Sequence, residues 1–220
     1  MKKIMFDDHY GLTQAVLDGR KTMTRRVIPE KYSQYFELEC GEVKRTFNEE
    51  YQSFTFWQHT AGSKPKDGLI RPTRFVEPIR VSPFKKGEEV AIAQKYWDLR
   101  NCDKFYERLQ ESDPTMPLEC IKGEKGCHNK MFVKATWMPN RIRITNIKVE
   151  RLKDISSEDC LKEGIEARVV GCHTFYYVHG IEWPFNFPKQ AFRTLIDKVS
   201  GKGTWEKNPY VFVYSFELVK

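Results

Sequence analysis

Apolar residues follow clear patterns near both ends of the chain, and these patterns predict strands. Short apolar or alternating segments indicate strands at residues 2–6, 90–94 and 210–219. The last segment is apolar on both faces at its start. Since a strand that is covered on both faces lies inside a sheet, we expect it at the centre of one.

A fourth strand is predicted with a break in its pattern. Residues 141–144 alternate between polar and apolar, and residues 147–150 alternate again, one residue out of phase. Because side chains in a strand alternate with a period of two, this shift predicts a bulge or bend near Thr145 and Asn146.

Residues typical of helix ends mark two short helices. The first is predicted after Asp7 and Asp8, whose side chains could cap it, and it ends at Gly19. The second begins at Ser156, which forms a capping box with the acid three residues later, and it ends at Gly164.

The order of elements predicts an α+β fold. Pro188 opens a last amphipathic helix that ends at Gly201. Helices do not alternate regularly with strands, which argues against a doubly wound sheet and favours a curved mixed sheet or small barrel with flanking helices. We expect one domain over residues 1–220, with insertions at about 30–82 and 99–130.

Composition restricts the classes of protein to consider. The chain has 37 Lys and Arg against 30 Asp and Glu, and the net charge of +7 is compatible with a polyanionic partner without requiring one. No apolar stretch approaches the length of about 18–20 residues that a membrane span needs, and the N-terminus does not resemble a signal peptide. We therefore expect a cytoplasmic protein, without a membrane partner, whose six cysteines are reduced thiols.

The segment GRKTMTRR, which begins at Gly19, is the richest in reactive side chains. Its four cations repel one another, which lowers the pKa of Lys21 and makes this residue a candidate general base. Thr24 can meet Lys21 only if the chain turns between them. A solvated basic turn, or one that touches phosphate, is the alternative interpretation.

This segment also carries a family resemblance. Gly19, Lys21, Thr24 and Arg26 match the pattern Gly-x-Lys-x-x-Thr-x-Arg, and in this the chain resembles the ASCH family of the PUA-like superfamily. Further segments resemble the larger ASCH proteins that are associated with phages and prophages, and these segments are residues 86–94, residues 138–165 and the ending GKGTWEKNPYVFVYSFELV. The resemblance implies a PUA-like fold, which is a small β-barrel with flanking helices.

The resemblance also implies a ligand and a reaction. ASCH proteins are associated with RNA and modified nucleosides, and one small bacterial branch removes the acetyl group from N(4)-acetylcytidine. The proposed catalytic residues of that branch correspond here to Lys21, Thr24 and Glu163. Glu163 lies near the end of a predicted helix, where the helix dipole disfavours a negative charge, and this suits a general acid. The alternative is an exposed Glu that a weak, screened dipole does not affect.

Six residues are predicted to bind a nucleotide or nucleic acid: Arg20, Arg25, Arg26, Trp137, Arg141 and Arg143. Arginines bind phosphate, and aromatic rings stack on bases. Arg141 and Arg143 share one face of their strand, where a solvated face is the alternative. For Trp137 the alternative is a place in the core.

The sequence thus predicts an ASCH protein that binds RNA or a modified nucleoside and hydrolyses an amide on an acylated nucleoside such as N(4)-acetylcytidine. Two alternatives remain, a non-catalytic nucleic-acid-binding module and a phage-derived accessory protein that binds another protein. No cofactor is predicted. Cys120, Cys127 and His128 do not have the spacing of a standard zinc site, and no metal is predicted.

Overall fold

The computed structural model describes residues 1–29, 82–115 and 122–219, together with the backbone of two strands within the first predicted insertion. This part of the chain contains a mixed five-stranded sheet, two separate hairpins and several helices. The α+β class is therefore confirmed. The hydrogen-bonded order of the described strands does not close into a barrel.

The strands of the described part are β1 (Lys2–Ile4), β2 (Met23–Val27), β3 (Lys44–Asn48), β4 (Ser53–Trp57), β5 (Glu89–Ile92), β6 (Arg141–Arg151), β7 (Glu166–Val170), β8 (His173–Tyr177) and β9 (Tyr210–Val219). The main sheet has the order β1-β5-β6-β9-β2, with β1 parallel to β5 and the other pairs antiparallel. β3 pairs with β4, and β7 pairs with β8.

Two predictions about the sheet are confirmed. β9 lies between β6 and β2, and its first five residues are buried, as expected of a strand covered on both faces. The register between β6 and β9 shifts between Ile144 and Asn146, at the predicted bulge. The bulge lets β6 continue as one long strand while its apolar side chains stay on the core side.

The α-helices of the described part are α1 (Leu12–Leu17), α2 (Asp103–Ser112), α3 (Ser157–Lys162), α4 (Pro188–Ser200) and α5 (Thr204–Lys207). The predicted starts of α3 and α4 are confirmed. The Ser156 hydroxyl accepts the amide of Asp159 at the start of α3, and Pro188 is the first residue of α4. Gly19 follows α1 with a φ of +74°, as a helix-ending glycine does.

The predicted cap of α1 is wrong. The residue before the helix is Gly11, in the left-handed conformation with a φ of +61°, and no side chain caps the first turn. The backbone carbonyl of Asp7 accepts the Leu12 amide instead, at 2.9 Å. The Asp8 carboxylate accepts hydrogen bonds from Thr13 and Lys130, so it is engaged with other side chains.

The two predicted insertions contain regular structure. The first includes the β3–β4 hairpin and Ser82, and its remaining residues lie outside the described part. The second contains α2, which the polar sequence did not predict. Phe105 and Leu109 of α2 are buried against Trp137 in a small second core.

The larger core joins the main sheet to α1, α3 and α4. Its buried side chains include Val16 of α1, Cys160 of α3, Phe192 of α4 and Phe212 of β9. This packing brings the end of α1, the end of α3 and the start of β2 to one place. The candidate site is formed there.

Candidate functional site

Backbone hydrogen bonds fix the position of Lys21 between two helices. Its amide donates to the carbonyl of Ala15 in α1 at 2.8 Å, and the next amide, of Thr22, donates to the carbonyl of Lys162 at the end of α3 at 3.0 Å. β2 then begins at Met23. Lys21 and Thr22 therefore lie just before the strand, where their amides are bonded to both helices.

Lys21 and Glu163 form a buried ion pair. Lys21 Nζ donates to Glu163 Oε2 at 2.6 Å and to the carbonyl of the same residue at 2.8 Å. The two side chains are only 2% and 5% exposed. Gly164 follows with a φ of +104°, and a Cβ built on it would lie 3.6 Å from Lys21 Cδ. A glycine at this position thus lets the chain turn while it packs against the lysine stem.

The pKa of Lys21 lies below its usual value of 10.5, mainly because burial disfavours the charged ammonium. The Glu163 carboxylate opposes this effect, and the Arg26 and Arg25 guanidinium groups add to it. The direction matches the sequence-based expectation. The main cause differs, because burial acts more strongly than the neighbouring cations do.

Thr24 lines a cavity of about 250 Å³ together with Lys21 and Glu163. Its side chain is buried, and its hydroxyl forms no hydrogen bond with another residue of the described part. The walls include the apolar side chains of Phe6 and Phe192. The three predicted catalytic residues are therefore brought to one small cavity with largely apolar walls, and the hydroxyl of Thr24 is available to a ligand.

Arg25 is bound by carboxylates rather than open to a ligand. Its guanidinium donates to Glu150 at 2.6 and 3.0 Å, to Asp159 at 3.0 Å and to Glu163 Oε1 at 3.1 Å. Its side chain is fully buried. These contacts correct the prediction that Arg25 grips phosphate, since three carboxylates already use its donors. Arg25 instead orients Glu163, whose other oxygen faces Lys21.

Arg26 also lines the cavity, and it is the predicted phosphate ligand whose position fits that role best. It donates to the backbone carbonyl of Met5, and no carboxylate of the described residues lies within ion-pair distance of it. Burial lowers its pKa, and the Glu163 carboxylate opposes that shift. A half-buried guanidinium without a carboxylate partner suits a ligand oxygen.

Arg20, Arg141 and Arg143 lie outside this cavity. Arg20 is exposed and pairs with Asp18 and Glu166, both at 3.1 Å. Arg143 contacts two carboxylates of neighbouring strands, and Arg141 lines a different cavity. The structure therefore does not assemble the predicted arginines into a single phosphate-binding surface.

Trp137 is fully buried, so its ring is not accessible to a base, and this corrects the prediction. Its indole nitrogen donates to the Ser112 hydroxyl at 3.0 Å, and Lys134 Nζ lies 4.1 Å from the ring centre. The ring packs against Tyr96, with centroids 5.3 Å apart. Helix α2, which the sequence did not predict, provides this cover.

Two further site residues, Glu150 and Asp159, were not predicted. Together with Glu163 they surround Arg25. One signal was present for Asp159, because residues four apart share a helix face and this places it on the same face as Glu163. Nothing near Glu150 in the sequence distinguishes it from other acids, and it is 125 residues from its partner Arg25.

The described cysteines do not form disulfides, and Cys40 and Cys120 lie outside the described residues. Burial raises the pKa of the Cys160 thiol to about 12. The residues that the structure describes contain no group of three or more His, Cys, Asp or Glu side chains placed to hold a metal ion. No helix within the described ranges has the length and apolar character needed to cross a bilayer.

Comparison with protein-family models, with curated proteins and with solved structures gave no match to this chain. The resemblance to ASCH proteins therefore stays a prediction from the sequence. The cavity lined by Lys21, Thr24 and Glu163, the Lys21 cavity, is the feature of the described residues that bears on function.

Proposed function

We propose that this chain is an ASCH protein with a PUA-like fold that binds a modified nucleoside, free or within RNA, in the Lys21 cavity and hydrolyses an amide bond on it. The observation that carries the proposal is the buried pair of Lys21 and Glu163, 2.6 Å apart, at a cavity that the Thr24 hydroxyl also lines. A base, a nucleophile and an acid are the three groups that amide hydrolysis by covalent catalysis needs.

The Lys21–Glu163 pair supplies the base and the acid together. Nζ and Oε2 are 2.6 Å apart, so a proton can pass between them, and burial lowers the pKa of Lys21 and so eases loss of its proton. With the proton on Glu163, Lys21 can accept a proton and Glu163 can donate one. Burial disfavours charged groups, so it favours the pair of neutral amine and neutral acid over the ion pair.

The reaction then proceeds in two balanced steps. Thr24 Oγ1 gives its proton to Lys21 Nζ and attacks the acyl carbon, and the C–N bond breaks as Glu163 gives its proton to the departing amine. Water next attacks the acyl ester on Thr24, its proton passes to Glu163, and Lys21 returns a proton to the Thr24 oxygen. The products are the free amine and a carboxylic acid.

Arg26 and the apolar walls define what the cavity accepts. The guanidinium of Arg26 can hold the acyl oxygen as charge develops on it, because no carboxylate of the described part engages this side chain. A volume of about 250 Å³ is below the range of about 300–1,000 Å³ typical of drug-sized ligands. It suits a base with its acyl group, with the sugar outside.

The test is release of cytidine from N(4)-acetylcytidine and from a panel of other acylated nucleosides. Thr24→Val removes the hydroxyl at nearly constant volume and is expected to abolish turnover, whereas Thr24→Ser keeps the nucleophile and retains part of it. Thr22→Val is the matched control, since Thr22 is not among the residues that line the cavity. Lys21→Met is expected to lower kcat by about 10²–10⁴-fold, the range for loss of a general base.

Two outcomes would contradict the proposal. Full activity of Thr24→Val would show that Thr24 is not the nucleophile. No turnover by the wild type across the panel would show that the protein does not catalyse this reaction. Binding of nucleosides or RNA without turnover, with an affinity that falls as salt rises, would favour the alternative of a non-catalytic binding module.

A further inference from the structure

A second cavity, of about 600 Å³, lies between α2 and the ends of β6 and β9. It shares no lining residue with the Lys21 cavity. One wall is the polar face of α2, and the other includes Glu89, Arg141 and Leu218. The proposed hydrolysis makes no use of these residues.

Arg141 lines this cavity and carries one unsatisfied donor. Its Nε is buried and has no hydrogen-bond partner within the described ranges, and its Nη1 lies 3.9 Å from Glu89 Oε2. The other oxygen of Glu89 accepts from Arg143 at 2.9 Å. Because a buried N–H group without an acceptor is costly, the position favours a ligand that brings a carboxylate or carbonyl oxygen.

The facing helix carries two rows of opposite charge. Lys104 and Arg108 are four residues apart and form one row, and Glu107 and Glu111 form the row beside it. None of these four side chains has an ion-pair partner among the residues that the structure describes. Neighbouring rows on a helix are about 5–6 Å apart at Cβ, so the wall offers a positive and a negative edge side by side.

This pattern selects against ligands of a single charge. The carboxylates of Glu89, Glu107 and Glu111 repel a phosphate chain, and the cations on both walls repel a polyamine. A ligand with both charges satisfies both edges.

We propose that this cavity binds a zwitterionic ligand of the amino-acid or short-peptide class. Its carboxylate accepts from Arg141, and its ammonium group lies against Glu107 and Glu111. An extended dipeptide spans about 7 Å. The cavity volume accommodates a peptide of this size.

The first test is a charge-matched ligand series followed by NMR. Glycylglycine carries both charges, N-acetylglycylglycine carries only the negative one and glycylglycine amide only the positive one. Glycylglycine is expected to shift the Nε–Hε resonance of Arg141 and to bind more tightly than either analogue. The Nε–Hε resonance of Arg143, whose guanidinium already contacts two carboxylates, is expected to stay in place.

Variants separate specific binding from general electrostatics. Arg141→Lys keeps the charge but loses the Nε–H donor, and it is expected to weaken glycylglycine binding about tenfold, as for loss of one charge-assisted hydrogen bond. Arg143→Lys is the matched control on the same strand face. The double variant Glu107→Gln/Glu111→Gln changes two exposed residues, so it is expected to fold. It is expected to bind glycylglycine and its N-acetyl analogue equally.

Three results would overturn the proposal. These are equal binding of all three peptides by the wild type, an unchanged Arg141 resonance, and a stronger response of that resonance to inorganic phosphate or a short RNA than to glycylglycine. The readout does not depend on hydrolysis, so failure of this proposal and failure of the proposed amide hydrolysis are distinguishable.

Discussion

Lys21 is a buried lysine with an acid, Glu163, as its partner and two cations nearby. Its ammonium group donates to the side chain and backbone of Glu163, and Arg25 and Arg26 are close enough to oppose its protonation. Burial is the largest cause of the lowered pKa, because a low-dielectric interior disfavours the charged ammonium. The result is an amine that gives up its proton more readily than a surface lysine does.

This lowered pKa predicts how stability depends on pH. In the unfolded chain Lys21 titrates near 10.5, and in the folded protein it titrates below that value. Between the two values the unfolded chain binds more protons at this site, so its contribution makes the free energy of unfolding rise with pH. Below the folded pKa both states hold this proton, so Lys21 no longer contributes to the slope of the free energy of unfolding against pH.

Chemical denaturation between pH 7 and about 10.5 measures this slope. The double variant Lys21→Met/Glu163→Gln removes the titrating pair, and its free energy of unfolding is expected to rise less with pH than that of the wild type. Comparing the two proteins cancels other groups such as Tyr214, whose pKa burial raises to about 12. Identical slopes would show that Lys21 titrates normally in the folded state.

At the scale of elements, the end of α3 determines the geometry of the site. The Ser156 cap fixes where the helix starts, and Glu163 and Gly164 follow its last turn. The Thr22 amide then bonds to the last helical carbonyl at 3.0 Å, which ties β2 to the same end. A small change in either end of this helix therefore shifts Glu163 relative to Lys21.

Gly164→Ala tests the C-terminal end. The φ of +104° is strained for alanine, and its Cβ would lie 3.3 Å from Leu12 Cδ2 and 3.6 Å from Lys21 Cδ, so a loss of about 1–3 kcal/mol is expected. Gly201→Ala is the matched control, with a φ of +106° and nothing within 4 Å of the added Cβ. Thermal unfolding should show a loss of stability from backbone strain in both variants, and a further loss from crowding only in Gly164→Ala. In an activity assay, only Gly164→Ala should hydrolyse the acylated nucleoside more slowly.

Ser156→Ala tests the N-terminal end. It removes the hydroxyl that accepts the Asp159 amide at 3.0 Å, and a loss of about 1 kcal/mol in the free energy of unfolding is expected. Ser157→Ala, one residue further at an exposed helical position, is expected to change stability little. Urea denaturation of the two variants compares them directly, and equal losses would show that the cap contributes nothing.

At the scale of the molecule, Arg25 joins three elements that are distant in sequence. Its guanidinium in β2 binds Glu150 of β6, Asp159 of α3 and Glu163 beyond that helix. β2 is the edge of the main sheet next to β9, so these contacts hold the helix against the sheet margin. The network holds Glu163 in place in addition to linking the elements.

Arg25→Met should therefore be costly. The substitution removes the cation shared by Glu150 and Asp159, whose side chains are largely buried. Removal of one partner of a buried ion pair typically lowers the free energy of unfolding by about 3–5 kcal/mol. Arg143→Met is the control, because Arg143 also contacts two carboxylates but is half exposed, and such exposed pairs contribute little to stability. Calorimetric unfolding that gives similar losses for both would contradict the structural role of Arg25.

Much of the regular structure could be predicted because its signals are local. The phase shift in β6, the cap at Ser156 and the apolar start of β9 each depend on neighbouring residues, and each is confirmed. Helix α2 was missed because its apolar positions are few among polar ones. The cap of α1 was predicted wrongly, because a left-handed Gly11 and a backbone carbonyl replaced the expected side chain.

The candidate site divides in the same way. Lys21, Thr24 and Glu163 could be recognised in the sequence as residue types suited to acyl chemistry, because residue chemistry is a local property. The folded structure was needed to see which cations stay open to a ligand, since the acids that neutralise Arg25 lie 125 to 138 residues away. It also decided that Trp137 is covered and that Lys21 is buried, because burial depends on which distant elements pack together.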